Sequence, residues 1–311
     1  MREDIKQLFD EIDRALIGRG ETVRRCLIAL LGGGHILLED LPGVGKTTLS
    51  KAVAAAAGLK TKRVQFTPDT LPSDITGFMM WDAEKHEFRF REGAVMTNLL
   101  LADEINRTSP RTQSALLQAM EEGTVSEEGM TAELEKPFMV IATQNPAGAA
   151  GTMPLPHSQL DRFMMKLSLG QPSRGEIKEM ILTRTAECPE IRTVFDKERV
   201  LAARDETARV GISEAAAEWI AALIGATHTD ERISQGASPR AALSLAAAAK
   251  ASAYIEGREY VLPADISDIF ADCIAHRLIL SGAASREGIS ARGICAGILR
   301  DVPPPHIRTK K

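Results

Sequence analysis

The sequence predicts an α/β fold, a parallel sheet flanked by helices around a phosphate-binding loop, followed by a smaller all-α unit. Three observations carry that prediction. Short apolar runs alternate with helical patterns through the first 170 residues. The stretch EDLPGVGKTT, residues 39–48, sets a glycine-rich turn between one such run and a helix. From about Gln171 the strands give way to alanine-rich helical patterns, most densely over Ala237–Ala253.

Each element follows from local pattern. Residues 1–18 place Ile5, Leu8, Phe9, Ile12 and Leu16 at helical spacing. Glu21–Leu31 reads as a second helix, ended by Gly32–Gly34, and HILLED (35–40) as the first strand. Lys46–Ala57 is the helix after the glycine turn, closed by Gly58. Further strands are expected at KRVQF (62–66), NLLLAD (98–103), FMVIAT (138–143) and MMKLSL (164–169), with a helix over Ser109–Glu122. Two segments interrupt the alternation and read as hairpins, one over 74–94 and one over 124–136 that turns near Glu128–Gly129. A boundary at Gly170–Pro172 divides the chain into an α/β unit, 1–170, and a helical unit, 171–311. The ending DVPPPHIRTKK reads as a frayed tail.

Composition narrows the function classes. At 311 residues the chain is long enough for two domains, or one core with a substantial appendage, and its 44% hydrophobic and 26% charged residues are ordinary for a soluble globular protein. Aromatics at 4% argue against a base-stacking surface, and a net charge of −4 gives no global attraction for nucleic acid. The N-terminus mixes both charge signs without the apolar core of a secretory signal, and no apolar run approaches the ~20 residues of a membrane span. A cytoplasmic location without membrane insertion is the expectation. Cys26, Cys188, Cys273 and Cys295 form no C-x-x-C pair and read as buried free thiols.

Chemistry concentrates in three segments. The usual phosphate loop, G-x-x-x-x-G-K-[ST], has a glycine where Asp40 stands. That position precedes the anion-binding turn, so another residue is tolerated there while φ stays negative. In the loop Pro42, Gly43, Val44, Gly45, Lys46, Thr47 and Thr48, the two glycines let successive N–H groups point inward. Lys46 would reach the β- and γ-phosphates, and the Thr47 hydroxyl would take a Mg²⁺ coordination site. A glycine-rich turn with an incidental lysine is the competing reading. The strand in NLLLADEINR ends in Asp103, suited to the Mg²⁺ shell, and Glu104, suited to general-base work on water. An isolated acid pair at a strand end is commonly just solvated, but downstream of a phosphate loop it points to nucleotide hydrolysis. FMVIATQNP offers Asn145 as a neutral group to position the attacking water, or simply a strand-to-loop turn.

On these residues the chain resembles the AAA+ ATPases, and within them the MoxR group. The matching segments are LPGVGKTTL, VQFTPDTLPSDITG, FREGAVMTNLLLADEINRTSPRTQSALLQAMEEG, PFMVIATQNP, GTMPLPHSQLDRF and GASPRAALSLAAAAKASAYIEGREYVLPADI, with IAHRLIL beyond. In this family an acid often stands at the place of Asp40. The resemblance implies an AAA+ P-loop core with a helical lid. It gives Lys46 and Thr47 the Walker A roles, Asp103 and Glu104 the Walker B roles, and Asn145 the role of sensor 1. Gly18 falls where such proteins contact adenine. Arg162 matches the arginine finger that reaches a neighbouring subunit's γ-phosphate, and Arg240 matches sensor 2 on the lid. Arg107 and Arg111 lie close to Glu104 in sequence and compete for the finger role. The two hairpins match the helix-2 insert and the pre-sensor-1 hairpin, which usually face the pore or substrate. His157 departs from the acid many relatives carry there, and His276 reads as a packed lid residue.

The resemblance further implies ATP and Mg²⁺ as ligands, a homo-oligomer in the form of a hexameric ring, and chaperone-like work on a protein client. A protein with a von Willebrand factor A domain is the implied client. The alternative is an AAA+ motor or loader acting on nucleic acid, and a third reading is a module that uses ATP only as an assembly signal. A GTPase reading fails for want of an N-K-x-D motif.

Overall fold

The computed structural model describes residues 1–40, 44–127, 129–145, 152–183 and 190–305. Helices α1 (Glu3–Asp13) and α2 (Gly20–Leu31) precede strand β1 (Ile36–Glu39), which leads through the glycine loop into α3 (Lys46–Ala56). Then come β2 (Thr61–Gln65), β3 (Leu99–Asp103), α4 (Pro110–Glu122), β4 (Met139–Gln144) and β5 (Met165–Leu167). The five strands form one parallel sheet in the order β2-β3-β4-β1-β5. The glycine loop therefore leaves the sheet beside the ends of β3 and β4, where open α/β sheets bind ligands.

Both faces of β1, β3 and β4 are covered, which is why these strands read as unbroken apolar runs, whereas the edge strand β2 is largely exposed. Leu37, Leu100, Ala102, Val140 and Ala142 pack with Leu116, Leu117 and Met120 of α4. Their neighbours Ile36, Leu38, Leu99, Leu101, Met139 and Ile141 share a core with α1, α2, α3 and the helices of the second unit. The two sets alternate along each strand, as the period of two requires.

Both inserted hairpins form. Gly77–Asp82 pairs antiparallel with Glu87–Glu92, and Thr124–Glu127 with Met130–Glu133. The first follows a one-turn helix, Pro72–Thr76, that alternation alone did not reveal. The first helix is shorter than its apolar spacing suggests. Ala15 N–H and Leu16 N–H bond three residues back, to Ile12 and Asp13, and this tighter turn ends α1 while leaving Leu16 buried.

After β5 the chain is helical: α5 (Arg174–Thr183), α6 (Lys197–Ala208), α7 (Glu214–Thr229), α8 (Pro239–Ile255), α9 (Pro263–Ile274) and α10 (Ala291–Asp301). A two-stranded ladder, Ile233–Gln235 with Ile279–Leu280, interrupts an otherwise helical unit. Ala241, Ala248, Ala249, Ala251 and Ala253 of α8 are fully buried, and their small side chains let α8 pack against α2, α7 and α9. Cys26, Cys273 and Cys295 are buried and free, and burial pushes each thiol up to about 12, so none is a nucleophile at neutral pH. Cys188 and the last residues of the tail, 306–311, lie outside the described residues. Among the described residues, no helix is long and apolar enough to cross a membrane.

Candidate functional site

A cavity of about 310 Å³ opens at the carboxyl ends of β1, β3 and β4, and Gly45, Lys46, Thr47, Thr48, Asp103, Glu104 and Asn145 line it. Its floor is the start of α3. Gly45 takes φ +102, a left-handed conformation that turns the chain into the helix, and no side chain caps the first turn. The leading N–H groups are thus available to an anion. Lys46 Nζ donates to the main-chain oxygen of Asp40 at 2.6 Å. Burial pulls the Lys46 ammonium below its ordinary range, against the opposing pull of Asp40, Asp103, Glu104 and Glu39. Val44 is half-buried and packs on the core, while Pro42 and Gly43 lie outside the described residues.

Adjacent residues of a strand point to opposite faces, so Asp103 and Glu104 can share one pocket only if the chain leaves strand geometry between them. It does so: Glu104 adopts φ +57, one of two non-glycine residues with positive φ among those described. Thr143 of β4 holds the turn, its hydroxyl accepting the Glu104 N–H at 2.8 Å and donating to Asp103 Oδ1 at 3.2 Å. Such backbone outliers cost about 1–3 kcal/mol and gather at functional sites. Burial pushes the Glu104 carboxyl up, but hydrogen bonds from Arg107, Asn145 and Gln65 outweigh it and hold the group below its usual range. Glu104 is therefore a carboxylate at neutral pH, ready to accept a proton. Asn145 is steadied by Asn106, whose side chain bonds both the main-chain N–H and the main-chain oxygen of Asn145, at 3.2 and 3.1 Å.

Three lining residues were missed from sequence: Thr143, Arg63 and Gln65. Arg63 and Gln65 lie on one face of β2, two residues apart, and Gln65 pairs in register with Asp103. Arg63 Nε lies 2.7 Å from Asp103 Oδ2. The period of two in KRVQF carried that signal, but nothing in the sequence showed which strand β2 pairs with.

The donor set suits magnesium bound along with a nucleotide. Thr47 and Asp103 supply a hydroxyl and a carboxylate, both hard oxygen donors. Among the described residues no cluster of three His, Cys, Asp or Glu side chains forms a cage for a free metal ion. A Mg²⁺ that takes most of its shell from phosphates and water needs none.

The structure keeps other expected residues apart from this cavity. Gly18 sits in the turn between α1 and α2 at φ +72, and the Glu176 carboxylate of α5 packs against it where a side chain would stand. Arg162 and Arg240 meet each other elsewhere. The Arg162 guanidinium lies 3.0 Å from Glu121, and Arg240 bonds the other oxygen of the same carboxylate. The chain on either side of Arg162 is fixed by Arg277, which is buried, pairs with Asp161 at 2.9 Å and donates to the Phe163 carbonyl at 2.8 Å. Ser238, the N-cap of α8, also donates to Asp161, at 2.8 Å. Of the competing arginines, Arg107 is held by Glu104 of its own chain at 3.0 Å, and Arg111 is exposed at the start of α4. His157 is exposed on a one-turn helix, His157–Leu160. His276 is buried, with Nε2 3.1 Å from the Phe163 carbonyl, and has no access to the cavity.

Comparison with known proteins agrees with this geometry. Residues 35–165 match the model of the ATPase family associated with various cellular activities (AAA), and residues 225–295 match that of an AAA lid domain. The chain is 42% identical to YeaC, an uncharacterized protein of Bacillus subtilis, over 98% of this chain and 97% of that one. It is 37% identical to the chaperone MoxR1 of Mycobacterium tuberculosis, over 97% of this chain and 83% of the relative. A crystal structure from Cytophaga hutchinsonii, described as a candidate ATPase, superposes with a TM-score of 0.90 at 40% identity, covering 97% of this chain and 95% of that one.

Proposed function

The chain belongs to the MoxR family of AAA ATPases, and on that premise we propose that it hydrolyses ATP in a ring, hexameric by family analogy, to remodel a protein client. One observation carries the reading: Lys46, Thr47, Asp103, Glu104 and Asn145, from three separate segments, converge on one cavity. Lys46 and the N–H groups at the start of α3 bind the phosphates. Thr47 and Asp103 would hold Mg²⁺, which when bound neutralises phosphate charge. Glu104 accepts the proton of the attacking water, and Asn145 orients that water. Gly18 is assigned to the adenine side. The division between the nucleotide unit and the lid is placed at residues 170 and 171.

Arg162 and Arg240 stand outside their own chain's cavity. That placement supports a ring in which Arg162 reaches a neighbour's nucleotide as the finger, with Arg240 as sensor 2 on the lid, and an always-charged guanidinium suits the charge of a transferring phosphoryl group. The exposed Phe78, Met80, Trp81 and Phe88 on the first hairpin support contact with a polypeptide. The family suggests a client with a von Willebrand factor A domain, in the cytoplasm, and the MoxR1 relative carries the name chaperone.

A trap tests the client. Tagged Glu104→Gln protein, retained in ATP, is recovered from lysate of the source cell and its companions identified by mass spectrometry. Enrichment of a von Willebrand A-domain protein, lost without ATP, is the expected result. Companions that are nucleic-acid proteins, surviving nuclease, would replace the client reading with that of a nucleic-acid motor.

A further inference from the structure

Asp103 is almost fully buried, yet it has a cation already. An ionised carboxylate held out of water is costly unless a positive group and hydrogen bonds compensate it. Lys46, the obvious candidate, is engaged with the Asp40 carbonyl. Lys46 therefore acts on Asp103 only through space, and the contacting partners are Arg63, with Nε 2.7 Å from Asp103 Oδ2, and the Thr143 hydroxyl on Oδ1. Arg63 is itself half-exposed, lines the cavity, and also donates to Gln65 at 3.4 Å. It is a half-exposed side chain on a paired strand, holding the carboxylate expected to meet the metal.

We propose that Arg63 is a placeholder for magnesium: it neutralises Asp103 while the site is metal-free and yields that carboxylate when the metal–nucleotide complex enters. The proposal rests on the nucleotide-site reading above. Two consequences follow, and they run in opposite directions. Because guanidinium and Mg²⁺ compete for one carboxylate, removing the guanidinium strengthens the apparent affinity for metal. Because an uncompensated Asp103 repels a bare triphosphate, the same change weakens binding of metal-free nucleotide. A side chain that merely supports the fold would move both affinities the same way, or neither.

The test uses the whole chain with Arg63→Gln, and Arg63→Lys as the charge-conserving control. Binding of a fluorescent N-methylanthraniloyl-ATP is followed first in EDTA, then as Mg²⁺ is titrated at fixed nucleotide. For Arg63→Gln the Mg²⁺ midpoint should fall about three- to tenfold and metal-free binding should weaken by about the same factor, the range expected for losing one partly exposed ion pair. Arg63→Lys should stay closer to the wild type in both. A Mg²⁺ midpoint that is unchanged or raised overturns the proposal, as does unaltered metal-free binding. If the wild type binds no nucleotide under any condition, the reading beneath the proposal falls and the proposal falls with it.

Discussion

The Asp40 carboxylate accepts the Ser168 hydroxyl at 2.5 Å, joining two residues 128 positions apart. The same group accepts the N–H of Leu169 at 2.8 Å and of Gly170 at 3.1 Å. The acid that stands where a phosphate loop usually begins with glycine is thus a fastener. It ties the start of the loop to the segment leaving β5, just before the chain turns into the helical unit. Gly170 in turn gives its carbonyl to Arg19 at 3.1 Å, beside Gly18.

Replacing Asp40 with the consensus glycine should therefore weaken the protein. Asp40→Gly strands the Ser168 hydroxyl and the Leu169 N–H, while the Gly170 N–H keeps the Ser168 oxygen at 3.0 Å; leaving buried polar groups unpaired costs about 1–3 kcal/mol each where water cannot replace the acceptor. With partial rehydration the expected loss is about 2–4 kcal/mol, a Tm fall of roughly 4–8 °C by calorimetry. An unchanged Tm would show that the fastener carries no stability.

The acid limb of hydrolysis should lie below the ordinary carboxylate range. Glu104 must be ionised to accept a proton, and its hydrogen bonds hold it low despite burial. Arg107→Ala removes one of those bonds, so the Glu104 carboxyl rises and the acid limb should move to higher pH. The profile of kcat against pH checks this, and a limb that stays fixed or moves down contradicts it.

His35 should make the fold acid-sensitive. Its Nδ1 accepts the Val140 N–H at 2.9 Å, so Nε2 carries the proton and faces the Met120 carbonyl at 3.2 Å. Burial pushes this imidazole down to about 4 from 6.5, so the folded state holds it neutral. The unfolded state binds the extra proton first as pH falls. Stability is therefore full above about pH 6.5 and declines between there and pH 4, by about 3 kcal/mol from this residue. Urea unfolding at pH 7 and pH 4.5 measures the loss, and His35→Gln should reduce the difference.

Much of the cavity was legible because it is built from contiguous segments. A glycine loop after a strand, and paired acids at the end of another, identify themselves by spacing. The sheet was legible for a similar reason, since strands covered on both faces read as apolar runs. What stayed hidden depends on contacts between distant segments. Asp40 looked like a flaw in a motif until Ser168 was placed beside it. Arg63 required the pairing of β2 with β3, and the left-handed turn at Glu104 required Thr143 from β4. The shared hold of Glu121 on Arg162 and Arg240 needed the lid docked against residues 161–163.

Complementation between two inactive subunits tests the shared site most directly. Glu104→Gln removes the proposed base, and Arg162→Ala the proposed finger; alone, each should hydrolyse ATP about 10³-fold more slowly than the wild type. In a mixed ring, an Arg162→Ala subunit keeps an intact Glu104 and can meet Arg162 from a Glu104→Gln neighbour. Phosphate release should recover on mixing to a substantial fraction of the wild-type rate. Rings shown to contain both subunits yet still inactive, or full activity from Arg162→Ala alone, would contradict the shared site.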